Sequence, residues 1–445
     1  MMNRKKHLQK GRSVLVLAAS LVWLFTAAGS ASEPVKETGH TENTEVSGRL
    51  PRRYDCRDQG KAPTVRKQGR LGTCWAISAC SALEAFLLPD EHLIFSPDHM
   101  SMNNGFVITQ EEGGDPHMIM AYLSGWLGPV LESEDPYGDG KTADGLSASV
   151  HVQEMHLLDG LDADEIKSEI LTCGPVQTSL CMDRSMTAAG KGYYNPGEYA
   201  FCDPVEEKLT HDILILGWDD DYPGDNFLCP VRSDGAWICQ NTWGRSFGEN
   251  GVFYVSYEDA NIAGTGLAYA CIEDAGNYDH LYQNDICGWQ GRIGYDNETA
   301  WFANCYTARE DETLMAAGFY SLGRNTDYEL FAVHSFKDSG SFSDMEKVGE
   351  GHLNHAGYFT VPLTEDVKLS KGERFALAVH ITSKEILKPV AVEMSKDSFT
   401  AGVSLEGKEG YVSAEGILWD ETETVYGANV CLKVYTCVRA PENND

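Results

Sequence analysis

Basic residues are scarce in this chain of 445 residues. Lysine and arginine together number 35, against 67 aspartate and glutamate residues, which gives a formal net charge of -32 at pH 7. Nucleic acid and anionic membrane surfaces repel such a chain, so we exclude both as partners. Many secreted soluble proteins are equally acidic, so the charge alone does not indicate the substrate.

Long apolar runs are also scarce, and the clearest one, Val14 to Ala28, follows a basic stretch that includes Arg4, Lys5 and Lys6. This run is shorter than a bilayer span, and small residues follow it at positions 29–31. The pattern predicts a signal peptide at residues 1–31, and the polar residues 32–48 read as a linker. We therefore expect a secreted protein, free or associated with the cell surface, whose mature chain has no membrane span.

Paired CxxC motifs are absent, although the chain contains 13 cysteines. Without such spacing a zinc site is disfavoured, and we predict neither a metal nor another cofactor. An odd number of cysteines in an exported chain leaves at least one thiol unpaired if the others form disulfides. Cys74 is the natural candidate for that free thiol, and the pairing of the others cannot be deduced from the sequence.

The residues 68–87, QGRLGTCWAISACSALEAFL, organise the rest of the chain. A glycine-rich turn precedes an apolar run without Pro or Gly, which predicts a helix that begins near Cys74 and ends before Pro89. We expect the Thr73 hydroxyl to cap this helix, so that its first amides and its dipole stabilise a Cys74 thiolate. Gln68 lies six residues earlier and can stabilise an oxyanion there. The alternative is that Cys74 is an ordinary buried thiol.

A nucleophilic cysteine needs a base, and the base needs an orienting group. His211 opens the apolar strand HDILILGW, and Asn241 and Trp243 lie in the next predicted strand. Two adjacent antiparallel strands would place the Asn241 amide against the His211 ring, with Trp243 covering both. Asp212 should face the opposite side of its strand, where we expect a structural role.

The secondary-structure pattern changes twice along the chain. Short helical segments precede residue 175, and four strand-like segments follow between residues 176 and 257, which favours an α+β domain. From about Asp285 onward, short strands recur at regular spacing with almost no helical signal. This pattern predicts an all-β sandwich or jelly roll of about 150 residues, with the domain boundary between Cys271 and Asp285.

Three segments together, QGRLGTCWAIS, LTHDILILGW and QNTWGRSFGENGVFYVSY, resemble the papain-like cysteine peptidases of family C1. They occur in the family's order, and the resemblance spans about residues 50–272. The β-rich remainder is similar to the lectin-like domain of some bacterial members. The resemblance implies a two-lobed α+β papain-like peptidase domain at residues 49–275, followed by a lectin-like β-sandwich at residues 280–440.

By this resemblance Cys74 is the nucleophile, His211 the general base and acid, and Asn241 the group that orients the His211 ring. Gln68 and the Cys74 backbone amide would form the oxyanion hole, and Trp243 would shield the pair from water. Gly113 and Gly114 correspond to a glycine pair that supports substrate binding.

The chain also departs from the family. Leu71 replaces a family cysteine, and the cysteine before the double glycine is absent, so a family disulfide is missing and we expect more mobile loops.

We therefore predict a secreted endopeptidase that acts on proteins or peptides. One alternative is a cysteine transpeptidase or amidase, which passes the same acyl-enzyme to an amine. Another is a surface adhesin, in which the β-sandwich binds a glycan or a protein. Four aromatic residues in the second region could stack on sugar rings or belong to the core: Trp289, Trp301, Tyr306 and Trp419.

Overall fold

The computed structural model describes residues 49–183, 185 and 192–440. The predicted signal peptide at residues 1–31 and the predicted linker at residues 32–48 lie outside this part of the chain. Within the described residues, no helix combines the length and the apolar character that crossing a membrane requires.

Residues 49–274 contain the helices and the strands that carry the candidate site. The helices are α1 (Cys74–Leu87), α2 (Pro97–Met102), α3 (Pro116–Ser124) and α4 (Ala163–Cys173). The strands are β1 (Arg53–Asp55), β2 (Val150–Leu157), β3 (Val176–Leu180), β4 (Tyr194–Asn195), β5 (Ala200–Phe201), β6 (His211–Asp219), β7 (Ala236–Gln240), β8 (Val252–Ser256) and β9 (Gly266–Asp274).

Helix α1 is the central helix of this region. From Cys74 to Ala85 every residue is buried, because the helix is apolar around most of its circumference and packs against other elements on all sides. Strands β3, β6, β7 and β8 form an antiparallel series beside it. The mixture of helices and antiparallel strands confirms the predicted α+β class for this region.

Residues 280–438 consist almost entirely of strands, as the sequence predicts. They are β10 (His280–Tyr282), β11 (Gly291–Ile293), β12 (Thr299–Thr307), β13 (Glu312–Ser321), β14 (Thr326–Val333), β15 (Glu346–Leu353), β16 (Gly357–Leu369), β17 (Arg374–Ser383), β18 (Val390–Glu393), β19 (Gly410–Ser413), β20 (Asp420–Glu421), β21 (Asn429–Val430) and β22 (Leu432–Val438), with a short helix α5 (Thr422–Val425).

These strands form layers around an apolar core. One sheet has the order β15-β14-β17-β12-β19-β20, and strands β10, β22, β13 and β16 belong to a second sheet. Side chains from both sheets contribute to one buried cluster that includes Phe302, Phe319, Leu330, Phe375 and Leu377. The alternation of buried and exposed residues along strands such as β14 is typical of a sandwich.

The two regions share a sheet. Strand β16 pairs antiparallel with β2, with Gly357 opposite His156 and Phe359 opposite Glu154. Through this pairing the order β10-β22-β13-β16-β2-β9-β3-β6-β7-β8-β5-β4 is continuous, and β1 pairs with β6. The predicted domain limits, 49–275 and 280–440, stay a prediction, because the sheet crosses from one region to the other without a break.

Cysteine pairing is sparse in this fold. One disulfide joins Cys202 and Cys229, and the other cysteines are thiols. Most of these thiols are buried, including Cys74, Cys80 and Cys181. Burial in apolar surroundings is the common state of a free cysteine, so chemistry has to be argued for each thiol separately.

Candidate active site

Cys74 is the first residue of α1, as the glycine-rich turn before it predicts. The predicted hydroxyl cap is wrong: Thr73 makes no side-chain cap, and its φ and ψ of -101° and 18° are not those of an extended capping residue. The Thr73 hydroxyl instead forms a hydrogen bond with the Tyr137 hydroxyl. The first amides of the helix are therefore not capped by this side chain.

Two opposing effects act on the Cys74 thiol. Burial raises its pKa to about 12, and the nearby Asp212 carboxylate raises it as well. Hydrogen bonds from the backbone amides of Asp212, Trp75 and Cys74 lower the pKa. Two of these amides belong to the start of α1 and one to β6, so the sulfur lies between the helix N-terminus and the strand that carries His211.

His211 is the first residue of β6, and only 5% of its surface is exposed. Its Nε2 lies 2.9 Å from Oδ1 of Asn241, which directly follows β7. Because β6 and β7 are antiparallel neighbours, the sheet itself brings the two side chains together. The Trp243 ring lies beside the imidazole, with 4.8 Å between the ring centroids.

The Gln68 side chain is held at both ends of its amide. Its Oε1 accepts a hydrogen bond from the Thr242 hydroxyl at 2.6 Å, and its Nε2 donates to the Leu71 carbonyl at 2.8 Å. The Tyr137 hydroxyl donates to the Gln68 backbone carbonyl at 2.9 Å. Sequence reasoning missed Thr242 and Tyr137. Thr242 lies between Asn241 and Trp243 in a segment that resembles the family, whereas Tyr137 lies outside the three segments that carry the resemblance.

Two loops meet next to α1 without the family disulfide. The Gly72 amide donates to the Gln110 carbonyl at 2.8 Å, which joins the segment before Cys74 to the segment before the double glycine. Gly113 has a φ of +89°, and a Cβ on Gly114 would lie only 2.4 Å from the Trp75 ring. The double glycine therefore lets this loop lie directly on the residue that follows Cys74.

Asp212 is buried between β6 and β3. Its carboxylate accepts a hydrogen bond from the hydroxyl of Ser179, the residue opposite it in the sheet. Burial raises the pKa of Asp212 to about 7, whereas the hydrogen bond from Ser179 lowers it. The contact with Ser179 fits the structural role that the sequence predicts. Asp212 also has an electrostatic role, because its carboxylate raises the pKa of Cys74.

A cleft of about 460 Å³ opens over this arrangement. Gln68, His211 and Trp243 line it together with the loop residues 69–71 and with Met182, Asp183 and Thr210. Of the residues that the sequence analysis places in catalysis, Gln68 and His211 line this cleft, and Trp243 lines it beside them.

The candidate sugar-binding aromatics are mostly packed within the second region. Tyr306 is buried, and its hydroxyl donates to the Leu432 carbonyl at 2.7 Å. Trp419 stacks on Phe342, and Trp301 stacks on His380. Trp289 contacts His117 of the first region. Of the four, Trp301 and Trp419 lie together and half-buried at one surface.

Two family models match the chain in succession. The first, the papain family cysteine protease, matches residues 50–270, and the second, the lectin-like domain, matches residues 281–436. Cathepsin L of Sarcophaga peregrina is 26% identical over 231 residues, which cover 49% of this chain and 62% of that protein. A viral cathepsin of Heliothis zea nuclear polyhedrosis virus is 28% identical over 234 residues, covering 51% and 58%. The chain thus spans about three fifths of these relatives' length.

Solved structures with both regions are also similar. A clostridial cysteine protease, Cwp84 after propeptide cleavage, superposes with a TM-score of 0.76 at 24% identity, covering 87% of this chain and 99% of that one. The protease and lectin-like domains of Cwp84, described as a surface layer associated protein of Clostridium difficile, give 0.73 at 23% identity, covering 88% and 90%. The chain belongs to the papain family of cysteine proteases and carries a lectin-like domain after the papain-like region.

Proposed function

We propose that the protein is a secreted cysteine endopeptidase in which Cys74 attacks the peptide carbonyl and His211 transfers the protons. The observation that carries the proposal is the 2.9 Å contact between His211 Nε2 and Asn241 Oδ1, next to the start of α1. A buried imidazole oriented by a neutral amide is a proton acceptor that does not add charge to the site. Membership of the papain family supports the same reaction class.

Proton transfer begins with the tautomer of His211. The Asn241 oxygen only accepts hydrogen bonds, so Nε2 carries the ring proton and Nδ1 exchanges a proton with the Cys74 thiol. Burial alone would keep Cys74 protonated, because it raises the thiol pKa to about 12. The thiolate therefore forms as an ion pair with imidazolium, assisted by the backbone amides around the sulfur.

Attack by the thiolate forms the bond between Sγ and the carbonyl carbon and places negative charge on the carbonyl oxygen. Gln68 Nε2 donates one hydrogen to Leu71, so its second hydrogen is available to the oxyanion together with the Cys74 amide. Collapse breaks the C–N bond, and His211 gives its proton to the leaving amine. Water, deprotonated by His211, then hydrolyses the thioester and regenerates the thiol.

The proposed site of action is outside the cell, on proteins or peptides. The lectin-like match supports a binding role for the second region, and we propose a cell-surface glycan as its ligand. The similar protein Cwp84 is described as surface layer associated, which fits an extracellular location. Trp301 and Trp419 are the aromatic residues whose half-buried position suits stacking on a sugar.

A substrate-library cleavage profile of the purified protein tests the peptidase proposal. We expect internal peptide bonds to be cleaved, and the Cys74→Ala variant to cleave none of them. The assay is repeated with an added amine nucleophile, because transfer of the acyl group to the amine in preference to water would identify a transpeptidase. Absence of any Cys74-dependent cleavage would contradict the proposal.

A further inference from the structure

A second cluster of chemically reactive side chains lies where the two regions meet, on a strand that β9 and β3 separate from β6. His156 is on β2, Glu169 and Cys173 are four residues apart on α4, and His355 is in the turn between β15 and β16. Helical residues four apart share one face, so Glu169 and Cys173 both point toward β2. The pairing of Gly357 with His156 fixes the His355 turn opposite the same strand.

The donor atoms of this cluster lie close together. His156 Nδ1 is 3.0 Å from Glu169 Oε2, and Cys173 Sγ is 3.5 Å from the same oxygen. These three ligand atoms all lie within 4.8 Å of one another, and the three residues are 4–7% exposed. His355 lies beside this group: its Nδ1 is 3.4 Å from the other Glu169 oxygen, Oε1, and its ring stacks on the His156 ring with 4.0 Å between the centroids.

These spacings suit a tetrahedral ion. With Zn–N and Zn–O bonds near 2.0–2.1 Å and a Zn–S bond near 2.3 Å, neighbouring donors are separated by roughly 3.3–3.7 Å. The contacts of 3.0 and 3.5 Å that His156 and Cys173 make with Glu169 Oε2 are close to that range.

The surroundings of His156 match the usual support of a metal ligand. Its other ring nitrogen, Nε2, lies 2.7 Å from Oε1 of Glu154. A carboxylate that accepts from one imidazole nitrogen fixes the tautomer and presents the other nitrogen to a metal. Binding of a divalent ion would release the protons on Cys173 Sγ and His156 Nδ1, so two positive charges replace two protons in a buried site.

We propose that His156, Glu169 and Cys173 bind one divalent transition-metal ion, and that Zn²⁺ fits this set of one nitrogen, one oxygen and one sulfur best, with water as the fourth ligand. This site departs from the sequence-based prediction of no metal, which rested on the absence of CxxC motifs. All three ligands come from the papain-like region, and His355 of the lectin-like region packs against His156. The competing explanation is an ion pair, in which His156 is held by Glu154 and Glu169 without any metal.

Cobalt titration of the full chain separates the two explanations. The protein carries Cys74→Ala, which removes the active-site thiol and prevents self-cleavage, and it is first stripped with a chelator. We expect one equivalent of Co²⁺ to bind with a thiolate-to-cobalt charge-transfer band, and one equivalent of Zn²⁺ to displace it. Cys173→Ser should abolish the band, and Cys271→Ser on the neighbouring strand β9 should retain it.

Two further variants test the supporting carboxylate and the neighbouring histidine. Glu154→Gln should lower the Zn²⁺ affinity by roughly 10–100-fold. His355→Gln, in a turn where 26% of the side chain is exposed, should fold normally and leave the affinity nearly unchanged, because His355 is not a ligand. No stoichiometric binding, a band that survives Cys173→Ser, or an affinity that Glu154→Gln does not change would each overturn the three-ligand site.

Discussion

Two buried asparagines, one in each region, use their amides in opposite ways. In the lectin-like region, Asn304 Nδ2 lies within 2.8–3.1 Å of four oxygens, including the Val430 and Leu432 carbonyls. In the papain-like region, Asn241 uses its Oδ1 on His211, and its buried Nδ2 makes no hydrogen bond with the described residues.

The difference shows what each region's buried polar groups contribute. Donors that are surrounded by acceptors connect strands and stabilise the fold, because leaving such groups unpaired costs free energy. Each amide has one unpaired half, since Asn304 Oδ1 is also buried without a hydrogen bond among the described residues. The two asparagines therefore differ in what the paired half contacts. Asn304 binds oxygens that hold strands of the fold together, whereas Asn241 positions the His211 ring.

The largest expected effect concerns His211. His211→Ala removes the proton acceptor, and because burial raises the Cys74 pKa to about 12, the thiol stays protonated near neutral pH. We expect peptide turnover to fall by at least about 10⁴-fold, measured as kcat/KM on a fluorogenic peptide. His352→Ala, an exposed histidine of the lectin-like region, is the control and should retain activity. Equal losses of kcat/KM in the two variants would contradict the assignment of the reaction to the papain-like region.

A second variant separates turnover from thiol reactivity. Gln68→Ala removes the proposed oxyanion donor, so kcat should fall by about 10²–10³. Alkylation of Cys74 by iodoacetamide forms no oxyanion and should keep nearly its original rate. The two rates are measured on the same preparation. Parallel losses would mean that Gln68, with its bonds to Thr242 and Leu71, only supports the loop.

The two asparagines give the most direct form of the comparison. Asn304→Ala leaves several buried oxygens without a donor, so the free energy of unfolding should fall by about 3 kcal/mol in urea titration. Asn241→Ala should change that free energy by less than about 1 kcal/mol, and should lower turnover by about 10–100-fold because the His211 ring loses its orienting contact. A loss of turnover without a loss of stability in Asn304→Ala, and the reverse in Asn241→Ala, would contradict the roles assigned to the two asparagines.

The last expected effect is a pH dependence of stability at Asp212. Its folded-state pKa is raised to about 7 by burial, so the folded protein binds more protons than the unfolded chain between about pH 4 and pH 7. Stability linked to this group is therefore highest below pH 4, falls as the pH rises to 7, and stays low above it.

Asp212→Asn removes this ionisation and keeps an oxygen for the Ser179 hydroxyl. The variant should be more stable than the parent by about 4 kcal/mol at pH 8, and nearly equal to it at pH 4. Chemical denaturation at the two pH values measures the difference, with Asp90→Asn on an exposed loop as control. A difference in the free energy of unfolding that does not change with pH would contradict the cost assigned to burying the ionised Asp212 carboxylate.

Local patterns predict much of the fold and of the site. The start of α1 at Cys74 and the strands that carry His211 and precede Asn241 follow from glycine turns and apolar runs close in sequence. Strands β2 and β9 are not evident in advance, and β2 carries buried polar residues such as His151, Gln153 and His156. These polar residues interrupt the apolar alternation by which strands are recognised.

The rest depends on contacts between distant parts of the chain. The continuous sheet requires Gly357 to pair with His156, about 200 residues apart, and no local pattern encodes that register. For the same reason the contact between His355 and Glu169 cannot be predicted from the sequence. Thr73 shows the opposite case, in which a local pattern predicts a contact that does not form. Threonine is well suited to capping a helix, but in the folded chain the Thr73 hydroxyl forms its hydrogen bond with Tyr137.

The central claim is that Cys74, activated by His211, is the nucleophile. The most direct test is site-resolved labelling of the thiols with a thiol-directed epoxide near neutral pH, quantified by mass spectrometry alongside peptide turnover. The account predicts that Cys74 is modified faster than every other thiol, that activity is lost in step with this one modification, and that His211→Ala abolishes the preference. Comparable labelling of several thiols, or turnover that persists after Cys74 is fully modified, would contradict it.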